Sequence, residues 1–104
     1  MPFYMIQGRY TQTAIKNLIS NPEDRSKAAG GKLLQYYWCL GDHDFVAIAE
    51  LPNDEAAVAM SMAAGSVGHI SGMKTTRLMT SAEAMTAMAA AEGVAKSLPA
   101  PKGK

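Results

Sequence analysis

The sequence predicts an α+β fold, a ferredoxin-like β-α-β-β-α-β arrangement with an additional C-terminal helix. Three observations predict it. Four segments are rich in aromatic and branched residues and read as strands. Segments with helical spacing and cap residues separate them in the order strand, helix, strand, strand, helix, strand. The turn between the second and third strands is too short for anything but an antiparallel pair. At 104 residues the chain holds one domain. We place it at residues 1–97, with 98–104 (Leu98-Pro99-Ala100-Pro101-Lys102-Gly103-Lys104) as a flexible tail.

Phe3 to Tyr10 forms the first strand, with Tyr4, Ile6, Gly8 and Tyr10 on one side and Phe3, Met5, Gln7 and Arg9 on the other. Thr11 suits an N-cap, and Ala14, Ile15, Leu18 and Ile19 make one helical stripe after it. Asn21-Pro22 opens a second helical segment, with Glu23 and Asp24 in its first turn and Gly30-Gly31 at its end. Lys32 to Leu40 is the second strand. Alternation puts Leu34, Tyr36, Trp38 and Leu40 on one face, and Leu33, Gln35, Tyr37 and Cys39 on the other. Gly41-Asp42-His43 turns the chain into the third strand, Asp44 to Leu51. There Phe45, Ala47 and Ala49 oppose Val46, Ile48 and Glu50, and Pro52 ends the run.

Asn53 caps the next helix, with Asp54 and Glu55 in its first turn and good helix formers from Ala56 to Ala64. Gly65 to Gly68 breaks it. Ile70 to Leu78 is a fourth, more polar strand. Thr80 and Glu83 stand at capping-box spacing before a last helix from Ser81 toward Lys96.

Large apolar groups on both faces of most strands create a covering problem. The helices can shield one sheet face only, so a second copy of the chain is expected over the other. The expected partner is therefore the chain itself, as a homodimer or higher homo-oligomer. A formal net charge of +1 argues against nucleic acid, as does the lack of a dense basic stripe. No apolar run is long enough to span a bilayer, which takes about 20 residues. The start lacks the pattern of a signal peptide. The lone Cys39 suits a reducing, cytoplasmic setting.

The segment from Gly41 through His43, Asp44, Phe45, Ile48 and Leu51 to Asn53 resembles the motif of the GYD-domain family. The start is similar as well, from Tyr4 through Ile6, Gly8, Tyr10 and Thr11 to Ile15, Lys16 and Leu18. Gly30-Gly31-Lys32-Leu33 and Lys74-Thr75-Thr76-Arg77-Leu78-Met79-Thr80 also look like that family. The likeness covers about residues 3–90. One departure is His43, which stands where the family commonly has Tyr. The resemblance implies a subunit of the dimeric α+β barrel type and no established reaction. Its hairpin is similar to that of the sensing domain of leucine-responsive regulators. Barrels of this type also include cofactor-independent monooxygenases, lactone isomerases and haem-degrading enzymes, and fold likeness does not choose among them.

The candidate catalytic residues are His43, Tyr37 and Arg9. His43 sits between two aspartates in a turn that has no need of an imidazole, a side chain suited to acid–base work. Arg9 suits a carboxylate, which a guanidinium binds through two hydrogen bonds. Tyr37, Gln35, Gln7 and Arg9 would edge a pocket if they share the barrel interior. Ligand-binding candidates are Gln7, Gln35, Asp44 and His69; the simplest role for Asp44 is to bond hairpin amides. His43 and His69 lack the ligand spacing of a metal or haem site, so neither metal nor cofactor is expected. Met60, Met62, Met85 and Met88 suit adaptable packing rather than copper. Cys39, within an apolar strand, is expected to be buried rather than nucleophilic. Pro2, exposed as a secondary amine once Met1 is removed, superficially resembles the N-terminal base of tautomerases. The functions in view are thus a small-ligand-binding or assembly module and, as the alternative, a cofactor-independent monooxygenase or an isomerase or tautomerase.

Overall fold

The computed structural model describes residues 2–22 and 32–101. The chain runs β1 (Phe3–Tyr10), α1 (Gln12–Ser20), β2 (Lys32–Trp38), β3 (Phe45–Glu50), α2 (Asp54–Ser66), β4 (Ile70–Leu78) and α3 (Ser81–Ser97). The four strands form one sheet in the order β2-β3-β1-β4, and every neighbouring pair is antiparallel. This is the arrangement expected from the sequence. Most of the proposed second helical segment lies outside the described residues; Asn21 itself ends α1, its N–H bonding the Asn17 carbonyl at 2.9 Å.

Alternation in β1 and β3 decides what is core. Tyr4, Ile6 and Tyr10 are buried on one face beside Phe45, Ala47 and Ala49. Ala14 of α1 and Ala57 of α2 close on this layer, with Leu51 at the end of β3. Burying a side chain such as Ile6 or Phe45 stabilises the fold by about 2 kcal/mol. Gly8 is favoured by close packing. A Cβ there would stand 3.0 Å from Phe45 Cε1 and 3.1 Å from Ile70 Cγ2.

Strand β2 departs from strict alternation. Leu33 pairs with Ala49 and Gln35 with Ile48, so the register shifts between them. Such a bulge spends one residue without advancing the ladder. Leu33 therefore joins Tyr36 against the core, and not Gln35 as a regular strand would have it. Leu34 leaves the core-facing row and is exposed, and Leu40 lies beyond the strand, fully exposed. Cys39 is only half-buried, because it too falls outside β2.

The helix caps follow the sequence. Thr11 accepts from the Ala14 N–H and Asn53 from the Ala56 N–H. Thr80 and Glu83 form the reciprocal capping box. Helix α2 continues through Gly65 to Ser66, and the turn after it holds Gly68, whose φ of +79° favours glycine. Gly41, at φ +114°, serves the β2–β3 turn in the same way.

Helix α3 stands apart. None of its 17 residues is buried, and the radius of gyration is 18.6 Å, against about 13 Å for a compact chain of this length. Ala84, Met88, Ala91, Ala95 and the capping Leu98 recur at alternating spacings of four and three, which aligns them as one apolar seam. Met85 and Met88 are each 67% exposed, so the packing role expected of them is not met within one copy.

Candidate functional site

Pairing across the strands organises the face opposite the core into rows. Gln35, Ile48, Met5 and Thr76 form one row. Tyr37, Val46, Gln7 and Lys74 form the next. A third places Glu50, Phe3 and Leu78 side by side, with Lys32 bound to Glu50 at 3.5 Å. The centre of this face is thus apolar, with Phe3, Met5, Val46, Ile48 and Leu78, and its border is polar. No described helix covers it, because α1 and α2 pack on the other side and α3 buries nothing.

The sequence candidates divide between the two faces. Gln7, Arg9, Gln35 and Tyr37 share the open face, as their proposed pocket requires. The Tyr37 hydroxyl donates to Gln35 Oε1. Arg9 lies beside Ser71 and Gly72, one step beyond the Gln7 row. His43 is half-buried in the β2–β3 turn, at the Arg9 end of the sheet. Tyr37 and Arg9 sit on strands two spacings apart, about 10 Å. Among the described residues no hydrogen bond joins any two of His43, Tyr37 and Arg9, so one copy does not assemble them into a catalytic group. Pro2 is at the far end of β1 from Arg9, about 23 Å along the strand, and its carbonyl accepts the Leu51 N–H at 3.2 Å.

Asp44 is engaged with the backbone. Its Oδ2 accepts the Tyr10 N–H at 2.9 Å, and its own N–H donates to the Gly8 carbonyl at 2.8 Å. Its carboxylate thus serves an amide of β1, while its carbonyl accepts the Cys39 N–H of the β2–β3 hairpin at 2.8 Å. His69 is exposed on the other side of the sheet, where its carbonyl accepts the Thr11 N–H at 2.9 Å. Among the described residues no group of three or more His, Cys, Asp or Glu is placed to hold a metal ion.

Sequence reasoning did not anticipate two polar links on the core side. The Tyr4 hydroxyl donates to Asp54 Oδ1 at 2.6 Å, and Arg77 Nε lies 3.4 Å from the same oxygen. Burial, and then the bond to Asp54, raises the Tyr4 phenol above its usual range. The hydroxyls of Tyr10 and Tyr36 bond each other beneath α2. Both tyrosines line a cavity of about 350 Å³ between the sheet and α2.

The GYD-domain profile matches residues 4–88. The chain belongs to the GYD-domain family. That membership agrees with the resemblance read from the sequence, which spans about residues 3–90. Among curated proteins none matches the sequence significantly. Among solved structures the GYD chain is similar to the crystal structure of MtbAldR, with a TM-score of 0.61 at 14% identity. The likeness covers 76% of this chain and 52% of that one, so the GYD chain spans about half of that neighbour's length. At this identity the likeness shows the fold alone, and it agrees with the β-α-β-β-α-β order seen here. Among the described residues no helix is long and apolar enough to cross a membrane.

Proposed function

We propose that this GYD domain is a homo-oligomeric module in which the open sheet faces of two copies pack together and enclose a small-ligand compartment. The observation that carries this reading is the uncovered apolar centre formed by Phe3, Met5, Val46, Ile48 and Leu78. By strand spacing and rise the face measures about 19 by 25 Å, or roughly 500 Å². A stable interface buries about 800 Å² per partner. The apolar seam of α3 supplies the remainder, and a helix of this length gains most of its stability from packing rather than from propensity.

Gln7, Arg9, Gln35 and Tyr37 then border the enclosed space. Arg9 suits a carboxylate or enolate oxygen, and Tyr37 a hydrogen bond to a neutral oxygen. No cofactor or nucleic acid enters this reading, and the unpaired Cys39 suits a cytoplasmic setting. The alternative is a cofactor-independent monooxygenase or isomerase using Arg9, Tyr37 and His43, favoured by the sharing of one face by Arg9 and Tyr37. Native mass spectrometry of the purified protein tests the module directly. Paired chains that retain a small organic mass support the compartment. Single chains without added mass contradict it. The enzymatic alternative fails if Ala variants of Arg9, Tyr37 and His43 leave turnover of quinol and enol substrates unchanged.

A further inference from the structure

The sheet has a second concave site, on the face opposite the proposed compartment. Ile6, Leu33, Phe45, Met60, Ile70 and Met73 are among the apolar residues that wall the 350 Å³ cavity beneath α2. Alanines 47, 49, 63 and 64 leave the space that larger residues would fill. Tyr10, Tyr36 and His69 stand among this apolar lining. An adjoining cavity of about 360 Å³ shares Tyr10 and His69 and continues along α1 past Asn17, Ser20 and Asn21. One space is thus greasy and its neighbour mixed, with polar groups set beside Ala14 and Leu18 and the same two residues at the junction. No Lys, Arg, Asp or Glu lines either cavity among the described residues.

We propose that this double cleft binds a small uncharged amphiphile, with a ring or short chain under α2 and a neutral polar head toward Asn17 and Ser20. The volume falls in the range of small-molecule sites, about 300–1,000 Å³. The apolar wall favours a hydrocarbon body. The hydroxyl and amide groups of the second cavity favour a hydroxyl or carbonyl head. A charged head gains no ion pair from the described lining while losing water, so it is disfavoured. This inference does not depend on pairing of the open faces, and its failure would leave that reading untouched.

Three probes sharing one ring test it on the full-length protein: 2-phenylethanol, phenylacetate and 2-phenylethylammonium. Methionine methyl NMR reads the location, because Met60 and Met73 line the cleft while Met5 lies on the open face. We expect 2-phenylethanol to shift Met60 and Met73 and leave Met5 unmoved. The two charged probes should bind about tenfold more weakly or worse. Ala64→Leu, at a half-buried helix position, should abolish the shifts with the far-UV circular dichroism unchanged. Should that variant unfold, Asn17→Leu, on the exposed face of α1, replaces it and should weaken the alcohol severalfold. Shifts confined to Met5, no shift at all, or equal binding of phenylacetate would each overturn the proposal.

Discussion

The carboxylate of Asp44 accepts the backbone N–H of Tyr10 at 2.9 Å, which ties the end of β1 to the start of β3. The same residue donates its N–H to Gly8 and accepts the Cys39 N–H, each at 2.8 Å. One residue thus closes the ends of three strands. Asp44→Ala should leave the partly buried Tyr10 amide without this acceptor and cost about 1–3 kcal/mol. Asp44→Asn keeps an acceptor and should cost less. Urea denaturation of both variants measures the difference, and equal losses would deny the carboxylate its backbone role.

Tyr4 and Asp54 set the alkaline limit of the core-side network. The folded-state pKa of Tyr4 is raised, first by burial and then by its bond to Asp54. A group of this kind contributes fully below its unfolded value, near 10. Its contribution is lost as pH climbs from there through the folded value. Wild-type stability should therefore hold from neutral pH to about pH 9 and fall above it. Tyr4→Phe should be less stable by about 1 kcal/mol at neutral pH and show a flatter alkaline decline. Denaturant titrations of the two proteins across this range provide the comparison.

The Glu83 carboxylate is held below its usual range, first by the Thr80 backbone N–H and then by the Thr80 side chain. The sign is the reverse of that for Tyr4. The contribution is present above the unfolded value, near 4.5, and is lost as pH falls through the lower folded value. Acidification, or Thr80→Ala at about 1 kcal/mol, should fray the start of α3. Because α3 buries nothing within one copy, amide protection in residues 81–86, referred to the intrinsic exchange rate at each pH, should fall while that of β1 and β3 stays unchanged.

Much of this fold is legible in the residues because local signals and burial agree. The alternation of Tyr4, Ile6, Gly8 and Tyr10, the caps at Thr11, Asn53 and Thr80, and the limits of β1 and β4 all follow from side-chain chemistry. The parity at Leu33 and Leu34 does not. A bulge is a choice of hydrogen-bond register between two strands, and neither strand encodes it alone. The same bulge keeps Gln35 and Tyr37 on the open face while Leu33 turns inward. Their grouping with Gln7 and Arg9 was within reach of alternation, whereas the cavity under α2 was not. In sequence Ala47 and Ala49 read as one face of a strand, and Ala63 and Ala64 as helix formers. Only their convergence from one strand and a helix reveals the space between them. His69 was expected among the ligand-binding residues, but it lies on the opposite side of the sheet from the other candidates, because the α2–β4 turn delivers it next to Thr11.

Light scattering coupled to size-exclusion chromatography, run at micromolar concentration on the wild type and on Ile48→Asp, tests the central claim most directly. Ile48 is half-buried on the open face and its row contains Met5. The wild type should elute at twice the chain mass or more, and Ile48→Asp should shift to the single-chain mass with its secondary structure kept. A wild type that is monomeric under those conditions would contradict the pairing of sheet faces and the compartment built upon it.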